Sequence, residues 1–264
     1  MTELTMAGGA SRIAIYGARL GLALAVLSVV LLALAPIGWR AGLWHFRTSF
    51  WYLMEPAFFV GAGAAVVSLL SLIGWSGMDN ASRGMALAGI VAGAILVYWP
   101  LQFYAKIYPL PILNTTPLPR IHDITTDTQN PPAFSAPVLA ARAAEKGNST
   151  DYDPKVGVQQ KEAYADVAPL TTTLPPAEAY KRALAAAQGM SGWQVGANDP
   201  ASGRIEASQS TLFMGFTDDI VIRVTPDGSG SRIDMRSESR QGISDFGVNA
   251  NRIRSYMAAL KSQL

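Results

Sequence analysis

The adjacent carboxylates Asp218 and Asp219 are the first residues in this sequence whose types suggest chemistry. Paired acids serve general acid–base catalysis when one member keeps its proton. At a strand start they equally mark a solvated loop end. A second candidate is Arg120-Ile-His-Asp-Ile-Thr-Thr-Asp127, where His122, Asp123 and Asp127 are metal-ligand types. The other histidine, His45, lies among apolar runs and the chain has no cysteine, so a zinc set cannot be completed. Calcium would need more oxygens in a tight loop. The alternative is a turn-rich strand whose Asp and Thr bond to local backbone. The densest polar stretch is Asp234–Arg254. Arg236 and Arg240 alternate there with Glu238. Asp245, Asn249, Arg252 and Tyr256 follow at i, i+4, i+7 and i+11, a polar stripe on a helix. Arg236, Arg240, Asp245, Asn249 and Arg252 form the candidate ligand or partner patch. Its structural alternative is a set of surface ion pairs and a cap, with Ser244 or Asp245 at the helix start. No Ser-His-Asp set, phosphate loop or dinucleotide fingerprint is present. No catalytic residue, cofactor or metal is assigned.

The elements that must position these residues belong to two materials. The chain has 264 residues, 50% hydrophobic and 15% charged, with a mean hydropathy of +0.20. The absence of cysteine rules out disulfide scaffolds and thiolate nucleophiles. The apolar fraction rules out a disordered polyelectrolyte. A net charge of +2 gives no footprint for nucleic acid. Residues 1–105 carry only eight charges, and residues 106–264 carry sixteen of each sign.

Three uncharged runs lie in the first part: Leu20–Trp39, Pro56–Trp75 and Gly84–Ala105. Each rises roughly 30 Å as a helix, the thickness of a bilayer's hydrocarbon core. They are read as three transmembrane helices. Ala33-Leu34-Ala35 fits a signal-cleavage pattern, but Pro36 follows at once and the run exceeds a usual h-region. Gly17-x-x-x-Gly21 and Gly89-x-x-x-Gly93 suit close helix packing, within the bundle or between copies. The oligomeric state stays open. Aromatic residues around Arg40–Glu55, with Trp99, Tyr104 and Tyr108, form an interfacial belt. Positive charges flanking the spans number three on each side, so charge does not orient them.

Residues 106–137 hold seven prolines and read as an extended strap. A short helix is expected at 138–147 and loop at 148–173. From Thr171 a helix is predicted, with Pro175 and Pro176 in its first turn, a stripe of Ala177, Tyr180, Leu184 and Ala187, and Gly189 and Gly192 at its end. Strands follow at Trp193–Ala197, Arg204–Ser210, Asp219–Val224 and Arg232–Ser239, then a helix from about Ser244 to Lys261. One strand face is apolar and the other charged, as in an antiparallel sheet covered on one side. The expectation is a two-layer α+β domain, four-stranded and antiparallel, in the order α-β-β-β-β-α. Opposed strand residues share a face, and like charges repel, so Arg223 is placed opposite Asp234 on a solvated face. The expected domains are 1–105 in the membrane, 106–170 as strap and 171–264 as the α+β unit.

The segments His122–Phe134, Gly215–Arg223 and Gly230–Arg254 resemble the bacterial domain-of-unknown-function family 1499. The resemblance covers about residues 106–264. It implies a membrane-attached domain, often behind several transmembrane helices, and no established activity. Some members carry a Pro-Asn-Cys-Val-Ser type segment where this chain has His122-Asp-Ile-Thr-Thr-Asp127, so no role of that cysteine transfers. The reading is a non-enzymatic multi-pass protein of the inner (cytoplasmic) membrane. Its N-terminus is cytoplasmic and its C-terminal domain extracytoplasmic. Its partners would be the lipid bilayer and an envelope protein, lipid or glycan that the domain binds or scaffolds. The alternatives are an envelope lipid- or glycan-acting enzyme with Asp218, Asp219 or Asp245 as acid or base, or a small-ligand carrier.

Overall fold

A computed structural model describes residues 2–107 and 118–264. Tyr108, Pro109, Pro111 and Pro117, read above as belt and strap, lie outside the described residues. The chain forms two compact units, Met1–Ala105 and Lys106–Leu264.

In the first unit, α1 spans Thr2–Arg40. A short helix α2 (Phe46–Thr48) runs through a π-helical stretch, Ser49–Met54, into α3 (Glu55–Ser71). A 3₁₀ turn, Leu72–Gly77, precedes α4 (Asn80–Ile107). Three segments are long and apolar enough to cross a membrane: Arg12–Arg40, Phe46–Gly77 and Asn80–Tyr98. Lipid gives helices little hydrophobic reason to associate, so close contact and hydrogen bonds must do it. Gly21 and Gly89 both close on Ser68, Gly17 closes on Ser71, and Gly93 closes on Gly61 and Ala65. A β-carbon at Gly21, Gly89 or Gly93 would overlap these neighbours. The small-residue patterns therefore pack the helices on each other. Ser28 Oγ donates to the Ala57 carbonyl, and Ser49 Oγ to that of Ala35, each at 2.6 Å.

The second unit is built on an antiparallel sheet of six strands, not four. They are β1 (Asp123–Thr125), β2 (Leu170–Thr172), β3 (Trp193–Asp199), β4 (Arg204–Ser210), β5 (Thr217–Asp227) and β6 (Gly230–Ser239). The order is β1-β6-β5-β4-β3, with β2 sharing the outer edge of β6. The two added strands have three residues each, too few for alternation to reveal. Arg223 stands opposite Asp234, as expected.

Ile205, Ile220, Ile222, Ile233 and Met235 point to one face and are fully buried. Helices α7 (Pro176–Gly189) and α8 (Val248–Lys261) cover that face through Ala179, Tyr180, Ala183, Ile253, Tyr256 and Leu260. Each buried Ile or Leu stabilises by roughly 1.5–3 kcal/mol relative to exposure. Tyr256, expected in a polar stripe, lies in this core; its hydroxyl donates to the Ala183 carbonyl at 3.0 Å and its ring stacks on Trp193. The start of α8 is later than expected, because Phe246 and Gly247 adopt left-handed φ of 55° and 82°. Helix geometry cannot begin until the chain leaves that turn.

The other sheet face departs most from expectation. It is covered, not solvated. Between β1 and β2 run α5 (Ala136–Ala144) and α6 (Pro154–Ala163), the latter within residues expected as loop. The chain from Thr126 to Tyr152 lies over Asp219, Asp234, Arg236 and Glu238, each at most 3% exposed. Alternation reports that a face is charged; it cannot distinguish water from charged partners above it. At the sheet's edge, Gln160 of α6 accepts from the Thr125 N–H at 3.0 Å and donates to the Thr125 carbonyl at 2.7 Å.

One core joins both helices and the sheet, so residues 118–264 should fold without the spans. An isolated fragment is expected to give dispersed amide resonances and one cooperative melt. A molten fragment would show that its core needs the rest of the chain.

Candidate functional site

Adjacent strand residues point to opposite faces. Asp218 and Asp219 therefore separate, and the structure places them in two different polar frameworks. Neither can join the other in acid–base work on one atom.

The first framework lies under α5. Arg142 bridges Asp219 at 2.8 Å and Glu238 at 2.7 Å. Arg240 grips both oxygens of Asp219, at 2.9 and 2.7 Å, and bonds Glu145. Arg236 grips both oxygens of Asp123, at 2.9 and 2.8 Å, and reaches Glu238 at 3.2 Å and the Thr150 carbonyl at 2.7 Å. The Phe134 ring lies near both guanidinium groups, 5.8 Å from Arg142 and 5.2 Å from Arg236. The exposed arginine face expected for Arg236 and Arg240 is thus a buried ionic lattice. Arg142 was not singled out in the sequence. A lone arginine in an Ala-rich helix was its only signal.

The second framework pins α8. Arg252 donates to Asp218 at 2.6 Å, Gln209 at 2.8 Å, Ser237 at 2.9 Å and Asn249. Asn249 donates to Ser239 and to the His122 carbonyl. Asp245 is not the N-cap expected of it, because Gly247 holds that position, but from two residues earlier its carboxylate accepts from the backbone N–H groups of Gly247 and Asn249, both at 2.8 Å. Burial pushes its carboxyl pKa up against these two bonds. Arg236 and Arg240 therefore sit on one side of the sheet and Asp245, Asn249 and Arg252 on the other.

A cleft of about 380 Å³ opens beside the first framework. Arg120, His122, Asn148, Asp151, Asp153 and Ile243 line it, with Asp123 and Glu238 deeper in. Asn148 donates to the Gly242 carbonyl at 2.7 Å and holds that wall to the end of β6. His122 Nδ1 is buried with no hydrogen-bond partner. Burial lowers the His122 pKa and so favours the neutral ring, against the opposing pull of the Asp123 charge. Burial, and then the Asp123 charge, push Glu238 up to about 8, against the pull of Arg142 and Arg236. The lattice holds three arginines and four carboxylates, and a shared proton relieves the excess. Burial also raises the Tyr152 phenol, to about 12. Among the described residues, no cluster of three His, Cys, Asp or Glu can hold a metal ion.

Two outcomes follow from this geometry. Arg142→Met strands Asp219 and Glu238 and should cost about 3–5 kcal/mol in denaturant unfolding. The second concerns pH. Folded Glu238 keeps a proton that the unfolded chain releases near 4.5. Its stabilisation is complete below that pH and is lost as pH rises through about 8. The melting temperature should fall across this window, and Glu238→Gln should flatten the fall. An unchanged slope in the variant would assign the titration to another group.

A comparison with curated proteins returned no match. Among solved structures, the chain is similar to the crystal structure of TTHA0849 from Thermus thermophilus. The identity is 13%, over 36% of this chain and 93% of that one, with a TM-score of 0.24. A likeness of that size does not bear on fold or function. The family model described as "Protein of unknown function (DUF1499)" matches residues 123–260. That span begins with Asp123 of β1 and ends with Leu260 of α8, so it contains both frameworks. On this match, over more than half its length, the chain belongs to the DUF1499 family.

Proposed function

We propose that the protein is a multi-pass component of the cytoplasmic membrane that presents its α+β unit on the extracytoplasmic side. There the cleft beside His122 binds an envelope component: a protein, lipid or glycan. The observation that carries this reading is the cleft itself, a preformed concavity of about 380 Å³ lined by Arg120, His122, Asn148 and Asp151. Three apolar spans support the membrane attachment. Binding is favoured over catalysis because Asp123 and Glu238 are held by arginines, Asp151 and Asp153 accept from the Ser149 hydroxyl and the Lys155 N–H, and Asp245 is held by the N–H groups at the start of α8. A carrier cavity between sheet and helices is disfavoured, since Ile205, Ile220, Ile222, Ile253 and Leu260 fill that space.

The absence of native cysteine makes the topology directly testable. Ser149→Cys places one thiol at the cleft. It should react with a membrane-impermeant maleimide in intact cells as fully as after permeabilisation. Reaction only after permeabilisation would overturn the topology. A photoactivatable residue replacing Ile243, which is 57% exposed on the cleft wall, should form an adduct with the envelope component. The adduct should fall several-fold in the His122→Ala background. No adduct at all would end the binding reading.

A further inference from the structure

The two ends of the sheet are built from different residues. At one end lie the β3–β4 and β5–β6 turns, which hold Pro200, Ser202 and Gly203 in one and Asp227, Gly228 and Ser229 in the other. These are the residue types that turns require. At the other end the β4–β5 turn, residues 211–216, reads Thr-Leu-Phe-Met-Gly-Phe. Its geometry rests on Thr211 and Gly215. The Thr211 N–H donates to the Phe216 carbonyl at 2.8 Å, and its carbonyl accepts from the Gly215 N–H at 2.9 Å. The Thr211 hydroxyl accepts from the Phe216 N–H at 3.0 Å, and Gly215 takes a φ of 70°. Met214 is buried. Leu212 is 96% exposed, the most of any large apolar residue among the described residues, and Phe213 is exposed beside it. Neither side chain takes part in the bonds that form the turn.

Other segments meet at this end. Just past β6, the Arg240 N–H donates to the Thr217 carbonyl at 3.0 Å. The N–H groups of Ser239 and Asp245 donate to the carbonyls of His122 and Ile121, at 3.0 and 3.1 Å. The residues that precede β1 therefore lie at the same end as the apolar turn. Arg252 of α8 bonds Gln209, two residues before that turn, and Val248, one helical turn earlier, is exposed. Among the described residues of 118–264, the exposed large apolar side chains are Leu139 and Val158 on α5 and α6, and Leu212, Phe213, Ile243 and Val248 at this end. Ile243 lines the cleft. Across segments 118–122, 211–217 and 241–248 the exposed charge is Arg120, a cation. The chain also enters the unit here. Leu118 follows Ile107, the last residue of α4, by eleven residues, which extend at most about 40 Å.

We infer that this end of the α+β unit rests on the lipid surface of the bilayer, with Leu212, Phe213 and Val248 seated among the headgroups. Exposed apolar side chains gathered at one place mark an interaction surface. Three observations select lipid over a protein as the occupant. Chain entry keeps this end, rather than the one with polar turns, within reach of the bilayer that the apolar helices cross. Leucine and phenylalanine side chains enter the boundary between headgroups and acyl chains, about 5–10 Å deep. The exposed charge beside them is positive, which matches lipid phosphates. The inference rests on the membrane attachment proposed above. It does not rest on which side of the membrane the unit occupies or on what the cleft binds.

The test uses the full chain in vesicles of phosphatidylcholine and phosphatidylglycerol. With no native cysteine, Leu212→Cys, Val248→Cys and, at the far end, Ser229→Cys each take one environment-sensitive fluorophore. All three side chains are exposed, so each variant should melt in detergent as the native chain does. Lipids carrying a nitroxide high on the acyl chain should quench the labels at 212 and 248 several-fold more than the label at 229. Iodide on both sides of the vesicle should quench them several-fold less. Iodide quenching at 212 equal to that at 229, with none by the nitroxide lipid, overturns the inference. A label at 212 shielded from both quenchers also overturns it, because a protein then covers this end. Shielding that vanishes as the chain is diluted in lipid does the same and identifies a second copy as the cover. Flotation separates this inference from the attachment on which it rests. A chain that floats with the vesicles while its labels stay in water defeats this inference alone; one that stays with the soluble fraction defeats both.

Discussion

Arg142 reaches from a helix into a sheet and ties Asp219 of one strand to Glu238 of the next. The rest of the α+β unit is arranged around that contact. An ion taken out of water costs several kcal/mol unless its partner is well placed. Asp219, Arg236 and Glu238 therefore cannot be covered by an arbitrary segment. The cover must bring Arg142, Asp123 and the Thr150 carbonyl to set positions. The segment that does this runs from β1 through α5. Its path leaves a concavity beside His122, and its Asp127 meets Arg223 and Arg232 further along the sheet. Removing one partner from such a lattice is far more harmful than its contact list suggests, because the remaining charge stays buried and alone.

The two units hold together by opposite means. In the apolar unit, stability rests on nearness, with Gly21 and Gly89 letting Ser68 between two helices. In the charged unit it rests on pairing. The seven prolines between residues 106 and 137 stand at the change from one regime to the other. Proline restricts the unfolded chain, which lowers the entropy lost when the cover docks.

What could be read directly from the residues follows the same division. Long uncharged runs have one interpretation, so the three apolar helices were legible. Strands β4, β5 and β6 and both flanking helices were legible because period 2 and period 3.6 persist over seven or more residues in each, whereas β3 was placed by Gly192 before it and the Asn198-Asp-Pro turn at its end. The Arg223–Asp234 register followed from the shared face of opposed residues together with charge. The same charge rule is broken at Arg204 and Arg223 on the neighbouring strand pair. Strands β1 and β2 were not legible, since three residues cannot show alternation. The covered face was missed for a deeper reason. A charged face looks the same in sequence whether water or an arginine lies above it. Of the candidate patch, the service of Asp245 to the start of the last helix was legible because it is local, although Gly247 holds the N-cap position. The separation of Arg236 and Arg240 from Arg252 was not, because it depends on which side of the sheet each framework occupies.

The Gln160 amide on β1 has a consequence for how copies of this protein can associate. A primary amide offers the same donor and acceptor as a peptide group, so it satisfies the outermost strand as a further strand would. Strand addition at that rim would have to displace it. At the opposite rim, β3 changes register between Val195 and Asn198, which interrupts the ladder an incoming strand would follow. Both rims thus resist sheet-to-sheet growth, which keeps neighbouring copies of the unit from joining through their sheets.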